Sequence, residues 1–392
     1  MRKKILYIQH AGGLGGSANS LLYTMQALDP GKYEPVVALA RPVQDLEDFY
    51  NNAGFETIPW DGMTLWDHST VAGKPLCNPL SWIHCWQVWR HWEKTQRRTL
   101  ELVDYVKPDI VHLNSMPLSP CADILNREGI PFVWHVREPP PDQGIRTRMI
   151  RRIMLRNKWI IFISEYDRKM WVEDKVGFIV KNFVDFNTFR SGQDKVAARE
   201  KLSLETDDKV ILYLGGVSKT KGMKFLLDAL KLLRRKIPDL ICLMPGAQIG
   251  PPSSWKSWLA RKILPLWNLK MMRLIRLYEL EPVTRLMPYV NNIPDMMAAS
   301  DVLVFPASQP HFARPVIEAA AMGKASVGSD LGGINELIEH EVTGLLVKPD
   351  VPEALASALE KLLLDSEKAE LLGNNAYLKA RKEFEIKSQI KK

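Results

Sequence analysis

The segment running from His311 to Val347, HFARPVIEAAAMGKASVGSDLGGINELIEHEVTGLLV, sets a carboxylate beside a seat for an anion. Glu318 lies inside an apolar helical run, a short strand follows, and Gly332 and Gly333 then open a second helical stretch, INELIEH. A helix start gathers unpaired backbone N–H groups and the positive end of the helix dipole, so the glycine pair offers phosphate a place to bind. Glu318, one strand away, suits the hydroxyls of a ribose or hexose. Two other loops carry related chemistry. In HAGGLGGSANSLL, Gly12, Gly13, Gly15 and Gly16 form a loop whose backbone can approach a ligand closely ahead of a helix. In LGGVSKTKGMKFLLDAL, Gly215 and Gly216 close a strand, and Lys219 and Lys221 precede a helix. A lysine there neutralises a diphosphate; Lys219 is read as a solvated loop lysine and Lys221 as the functional one.

Several enzyme classes drop out. Gly13, Gly15 and Ala18 fit a relaxed GxGxxA pattern, but a dinucleotide site also needs an acid at the end of the second strand, where ALARPV has Arg41. There is no GxxxxGK[ST] phosphate loop and no GxSxG nucleophile elbow. Paired carboxylates of a glycosidase type and a DxD-like acidic cluster are also missing, so no metal is expected.

The elements that must hold these loops read as alternating apolar strands and helices. KKILYIQH, PVVALA, ETIPW, DIVHLN, PFVWHV and WIIFIS are buried parallel strands by their continuous apolar character. After a polar stretch the pattern restarts with KVILYLGG, LICLMPGA, TRLMPYV, DVLVFPAS, KASVGSD and TGLLVKP. Between these strands lie FLLDALKLLRRK, IPDMMAAS, FARPVIEAAAM and PEALASALEKLLL. The class is α/β, with two Rossmann-like doubly wound domains facing across a cleft. The expected boundaries are 1–188 for the first domain, 189–206 for a linker, 207–373 for the second domain, and 374–392 for a basic helical tail packing back on the first domain. A length of 392 residues fits two cores better than one.

Composition is that of a soluble globular chain, 46% hydrophobic and 25% charged. No apolar run reaches the roughly 18 residues of a spanning helix, and the start MRKKILYIQHAGG reads as a first buried strand instead of a secretion signal. Cys77, Cys85, Cys121 and Cys242 form no CxxC pair, which points to a reduced, cytoplasmic setting. His84, Cys85 and His91 fit no zinc spacing. Trp82, Trp86 and Trp89 stand at helical spacing and are expected in the core. The net charge of +8 is concentrated in two segments. QGIRTRMIRRIMLRNKW is read as the solvated basic face of a packed helix. SWKSWLARKILPLWNLKMMRLIRLY, within residues 251–277, interleaves Lys256, Arg261, Lys262, Lys270, Arg273 and Arg276 with Trp255, Trp258 and Trp267 and has no acid. It is either another solvated face or a segment lying on an anionic membrane surface. No nucleic-acid motif accompanies the charge.

Taken together, the motifs resemble family 4 glycosyltransferases of the GT-B fold, also called group 1 glycosyltransferases. The resemblance rests on Gly12 to Gly16, His135 in VWHVRE, FISEYDRK around Ser164, KNFVD around Asn182, the GGVSKTKG loop, and FARPVIEAAAMGKASVGSDLGGINELI. It implies a retaining, metal-independent transferase that moves a hexose from a nucleotide-sugar donor to the hydroxyl of a lipid-linked or saccharide acceptor, in bacterial cell-surface polysaccharide or glycolipid synthesis on the inner face of the membrane. Lys221 would bind the diphosphate, with Gly216 beside it where the family often has an arginine. Glu318 would bind the ribose and Gly332 and Gly333 the phosphate, while Gly15 and Gly16 close on it and His135 lies near the transferred sugar. Arg314 stands as a replacement cation. Pro310 occupies the position of the family's first glutamate, and Ala313 that of a glycine. Two alternatives remain open at this stage: an epimerase or hydrolase of the same architecture, or a sugar-nucleotide-binding scaffold that has lost transfer.

Overall fold

The computed structural model describes residues 2–66, 86–140, 144–172, 176–248, 266–290 and 292–390. The chain divides into two compact units, Met1–Phe183 with Ile386–Lys392, and Val184–Glu385. Residues 189–206, the expected linker, contain the helix Lys195–Lys201 and cluster with the second unit. Of the expected tail, the part up to Glu383 belongs to the long helix Ser366–Glu383 of the second unit.

The first unit is built on seven strands: β1 (Lys3–Gln9), β2 (Tyr33–Leu39), β3 (Glu56–Pro59), β4 (Ile110–Asn114), β5 (Phe132–Val136), β6 (Ile160–Phe162) and β7 (Phe178–Ile179). Their order is β3-β2-β1-β4-β5-β6-β7, and every pairing is parallel. Both sheet faces are covered, and β1 shows how the sequence arranges this. Ile5 and Tyr7 join one apolar cluster with Leu21, Met25 and Leu46, while Leu6 and Ile8 join another with Leu102, Leu125 and Trp134. Successive side chains of a strand point to opposite faces, so a sheet sandwiched between helices needs an uninterrupted apolar run.

The second unit repeats the plan with β8 (Lys209–Tyr213), β9 (Leu240–Pro245), β10 (Thr284–Met287), β11 (Val302–Phe305), β12 (Ser326–Ser329) and β13 (Gly344–Val347). The order is β10-β9-β8-β11-β12-β13, again all parallel. In each sheet the chain reverses its direction of winding once, next to β1 and next to β8. Ligands of such sheets bind outside the carboxyl ends of the strands at that point.

Twelve-strand expectations and observed strands agree closely, and β7, inside FIVKNF, is the addition. Two local readings are corrected. INELIEH forms only the short helix Ile334–Leu337, because Ile338 is already extended and the Glu339 N–H donates to the Thr343 hydroxyl at 2.8 Å. Trp86 and Trp89 are 52% and 73% exposed, and Val88 takes the inward position between them. The Arg90 guanidinium stands 5.0 Å over the Trp86 ring. Trp82, Cys77, His84 and Cys85, and residues 251–265 of the Trp-bearing basic segment, lie outside the described residues. No helix among the described residues is long and apolar enough to cross a membrane.

Candidate active site

In the second unit the loops that follow β8, β11 and β12 interlock. Ser308, after β11, donates its N–H to the Thr220 carbonyl at 3.0 Å and its hydroxyl to the Lys219 carbonyl at 2.9 Å. Gly222 has φ 77°, and a Cβ there would stand 1.6 Å from the Pro306 carbonyl oxygen, so only glycine lets the two loops meet. On the other side, the His311 N–H donates to the Gly332 carbonyl at 3.0 Å. A Cβ on Gly333, at φ 85°, would lie 2.7 Å from the His311 carbonyl. The fold therefore brings Lys221, His311, Gly332 and Gly333 together at the carboxyl ends of three neighbouring strands. Gly216, at φ 60°, turns the chain just after β8.

The charges in this group are arranged for an anion. Lys221 is half-buried, the Tyr213 hydroxyl donates to its carbonyl at 3.2 Å, and its ammonium has no hydrogen-bond or acidic partner among the described residues. Burial holds that ammonium below its ordinary range. His311 keeps an open face and stacks on Phe305 at 5.5 Å between ring centroids. The protein crowded around it, together with the Lys221 charge, pushes its imidazole down to about 4. The N–H groups of Gly332 and Gly333 find no acceptor among the described residues. The anion seat is thus a pair of free amides beside a lysine, and with one turn of helix behind it the dipole contributes less than the sequence implied.

Glu318 and Arg314 lie on the next helix, Arg314–Ala321, and are both nearly buried. The Arg314 Nε donates to Glu318 Oε1 at 2.9 Å. Burial raises the Glu318 carboxyl above the usual range, and the Arg314 charge and hydrogen bond oppose that rise. One edge of the proposed replacement cation is therefore committed to the proposed ribose ligand.

In the first unit, the helix Gly16–Gln26 starts at Gly15 with no side-chain cap and no acid in its first turn. Added Cβ atoms on Gly13, Gly15 or Gly16 would meet nothing within 4 Å. His135 ends β5 and is 5% exposed. Arg137 Nη2 lies 3.4 Å from His135 Nδ1. A guanidinium only donates, so Nδ1 accepts and the proton rests on Nε2, which is buried and has no partner among the described residues. Arg137 also donates to Asn114 Oδ1 at 2.6 Å and to Asn182 Oδ1 at 2.9 Å, and Asn114 donates to Gln9 at 2.8 Å. Burial first, then the charges of Arg137 and His112, hold His135 well below its ordinary value, so its ring is neutral.

The structure gathers Gly216, Lys221, His311, Gly332 and Gly333 in one cluster, with Arg314 and Glu318 paired on the adjoining helix. It sets Gly15, Gly16 and His135 at the carboxyl ends of β1 and β5. Sequence reasoning passed over Gln9, Asn114, Arg137, Gly222 and His311. A polar residue closing an apolar strand, as in ILYIQ and VHLN, was the available signal for the first two.

Residues 194–379 match the family described as glycosyl transferases group 1. The D-inositol 3-phosphate glycosyltransferase of Thermobispora bispora is 28% identical over 198 residues, which cover 50% of this chain and 45% of that protein. A lipopolysaccharide core biosynthesis mannosyltransferase of Rhizobium meliloti is 24% identical over 311 residues, 72% of this chain and 81% of that one. The chain spans about half the length of most of the curated relatives it matches. In fold it is similar to HepE of Anabaena, solved in complex with UDP and glucose, with a TM-score of 0.79 at 19% identity over 100% of this chain and 98% of that chain. Residues 194–379 are thus similar to the group 1 glycosyl transferases, and the two parallel-sheet Rossmann-like units have the GT-B fold.

Proposed function

We propose that the protein transfers a hexose from a nucleoside diphosphate sugar to an acceptor hydroxyl, with retention at the anomeric carbon. The observation that carries this reading is Lys221, an unpaired, half-buried ammonium beside the two free amides of Gly332 and Gly333. Negative charge grows on the diphosphate as its bond to the sugar breaks. A pre-placed cation and fixed amide dipoles stabilise that charge more than they stabilise the bound donor, which is what lowers the barrier. Glu318 holds the ribose hydroxyls, Arg314 opposes the rise that burial gives its carboxyl, and Gly15 and Gly16 leave room for the donor to approach. His135 is the first unit's candidate neighbour of the transferred sugar. The leaving phosphate oxygen takes the acceptor's proton on the face it vacates, so configuration is kept without a covalent intermediate and without a metal. A trapped glycosyl-enzyme would contradict this mechanism.

The acceptor is read as lipid-linked or saccharide, in cell-surface polysaccharide or glycolipid synthesis, with residues 251–277 resting on the anionic inner face of the cell membrane. In the described part of that segment, the helix Leu266–Leu277, Met271 and Ile275 anchor the inner side while Leu269, Lys270, Arg273, Arg276 and Leu277 face out. One observation favours a second reading, a sugar-nucleotide-binding scaffold: Pro310 cannot supply the carboxylate that the family's first glutamate gives. A panel of nucleotide sugars, assayed with and without saccharide acceptors, separates the two. Transfer that is lost in Lys221→Ala and Glu318→Ala supports the enzyme, donor cleavage alone supports a hydrolase, and binding without turnover supports the scaffold.

A further inference from the structure

In the first unit the helix Ile145–Met154 has two faces of opposite character. Thr147, Ile150, Ile153 and Met154 are buried, the last three in the apolar cluster of Leu125 and Trp134. At 100° per residue, Ile145, Arg148, Arg152, Leu155 and Arg156 fall on the opposite side, and all five are exposed, with Ile145 at 78% and Leu155 at 57%. Just beyond the helix, Lys158 is exposed, and Trp159 stacks at 5.9 Å on Phe178 of the edge strand β7 with both rings more than 45% open to solvent. No acidic residue occurs between Gly144 and Phe162. Arg148, Arg152 and Lys158 make no ion pair among the described residues, and Arg156 has only a 3.7 Å contact with Asp123.

We propose that this face, from Ile145 to Trp159 together with Phe178, docks the first unit on an anionic lipid bilayer. Four large apolar side chains left in water beside cations give the composition that an interfacial site requires. The apolar groups enter the boundary between headgroups and acyl chains, while each arginine or lysine contributes about 1 kcal/mol against anionic headgroups. A nucleic acid fits less well, because the two aromatic rings stack on each other instead of presenting free platforms, and Ile145 and Leu155 offer nothing to bases. A second copy of the chain would set this unpaired basic face against itself. The proposal deepens the membrane part of the function proposed above by giving the bilayer a second and separate contact. It does not depend on the donor site, because vesicle binding is read without any nucleotide sugar.

The test is flotation of the full chain with vesicles of phosphatidylglycerol and phosphatidylcholine, and with phosphatidylcholine alone. Binding is expected only to the anionic vesicles and should weaken as salt rises. The double variants Arg148→Glu/Arg152→Glu and Trp159→Ser/Phe178→Ser should each lower it at least tenfold. Circular dichroism melts check that these surface variants stay folded. Wild-type protein that ignores anionic vesicles overturns the proposal. So does binding that is unchanged in both double variants but lost in Lys270→Glu/Arg273→Glu, which would move the contact to the segment 251–277. Tighter binding to single-stranded RNA than to vesicles, or a dimer that the Trp159→Ser/Phe178→Ser variant dissolves, also overturns it.

Discussion

The two units share the order of six strands, to which the first adds β7 at its edge, but they use their loop glycines differently. After β8 and β12 in the second unit, Gly222 and Gly333 have positive φ and lie so close to a neighbouring backbone that no Cβ fits. After β1 in the first unit, Gly13, Gly15 and Gly16 lie in open space, and Gly15 is extended, a conformation any residue adopts. Gly222 and Gly333 are required by the protein itself, since they let three loops interlock around Lys221. The three after β1 are not, so any need for them has to come from something the protein binds.

That contrast is broken most sharply at Gly222. The Gly222→Ala substitution forces a clash with the Pro306 carbonyl at a left-handed φ, and we expect a loss on the order of 3 kcal/mol or more, read as a lowered thermal midpoint. An unchanged melt would mean that the loops after β8 and β11 are not held together as described.

Acid gives the next largest effect, and it should fall more heavily on the first unit. Among the described residues the first unit has two imidazoles held low, His112 pushed down to about 3 and His135 well below its ordinary value, mainly by burial, against one in the second unit, His311, pushed down to about 4. Their folded values lie below the unfolded value near 6.5, so the unfolded chain takes up protons first. The stability they contribute is complete above pH 6.5 and is lost as pH falls, by about 2 kcal/mol for His112 between pH 6.5 and 4.5 and in the same direction for His135. Hydrogen exchange followed peptide by peptide across that range should show the first unit opening earlier, and His112→Gln should flatten its slope. Equal loss of protection in both units would contradict the assignment.

The smallest effect on stability belongs to Gly15→Ala, expected within about 0.5 kcal/mol of wild type. Its consequence should appear only in donor affinity, as a raised KM. A variant that melts early but keeps its KM would reverse the contrast between the units.

How much of this could be read from the sequence follows the same division. Strand positions were legible because buried parallel strands carry uninterrupted apolar runs, and only β7, two residues long, was too short to register. Lys221 and the Gly332–Gly333 pair stood out because each sits at a junction of strand, loop and helix, and Glu318 because it is an acid inside an apolar helical run. The helix behind that pair was overread, since nothing local in INELIEH announces that Thr343 will capture the Glu339 amide. Arg137 was hidden for a different reason. It matters through Asn114 and Asn182, which are adjacent only once β4, β5 and the KNFVD loop have assembled. Trp86 and Trp89 misled because helical spacing identifies a face without saying which way it points.

The central claim is that the second unit holds a nucleoside diphosphate through Lys221 and the free amides beside it. Calorimetric titration of nucleoside diphosphates into wild type and Lys221→Ala tests this most directly. The account predicts saturable binding by wild type, at least tenfold weaker in Lys221→Ala, with both proteins melting alike. Equal affinity in the two proteins, or no binding by wild type, would contradict it.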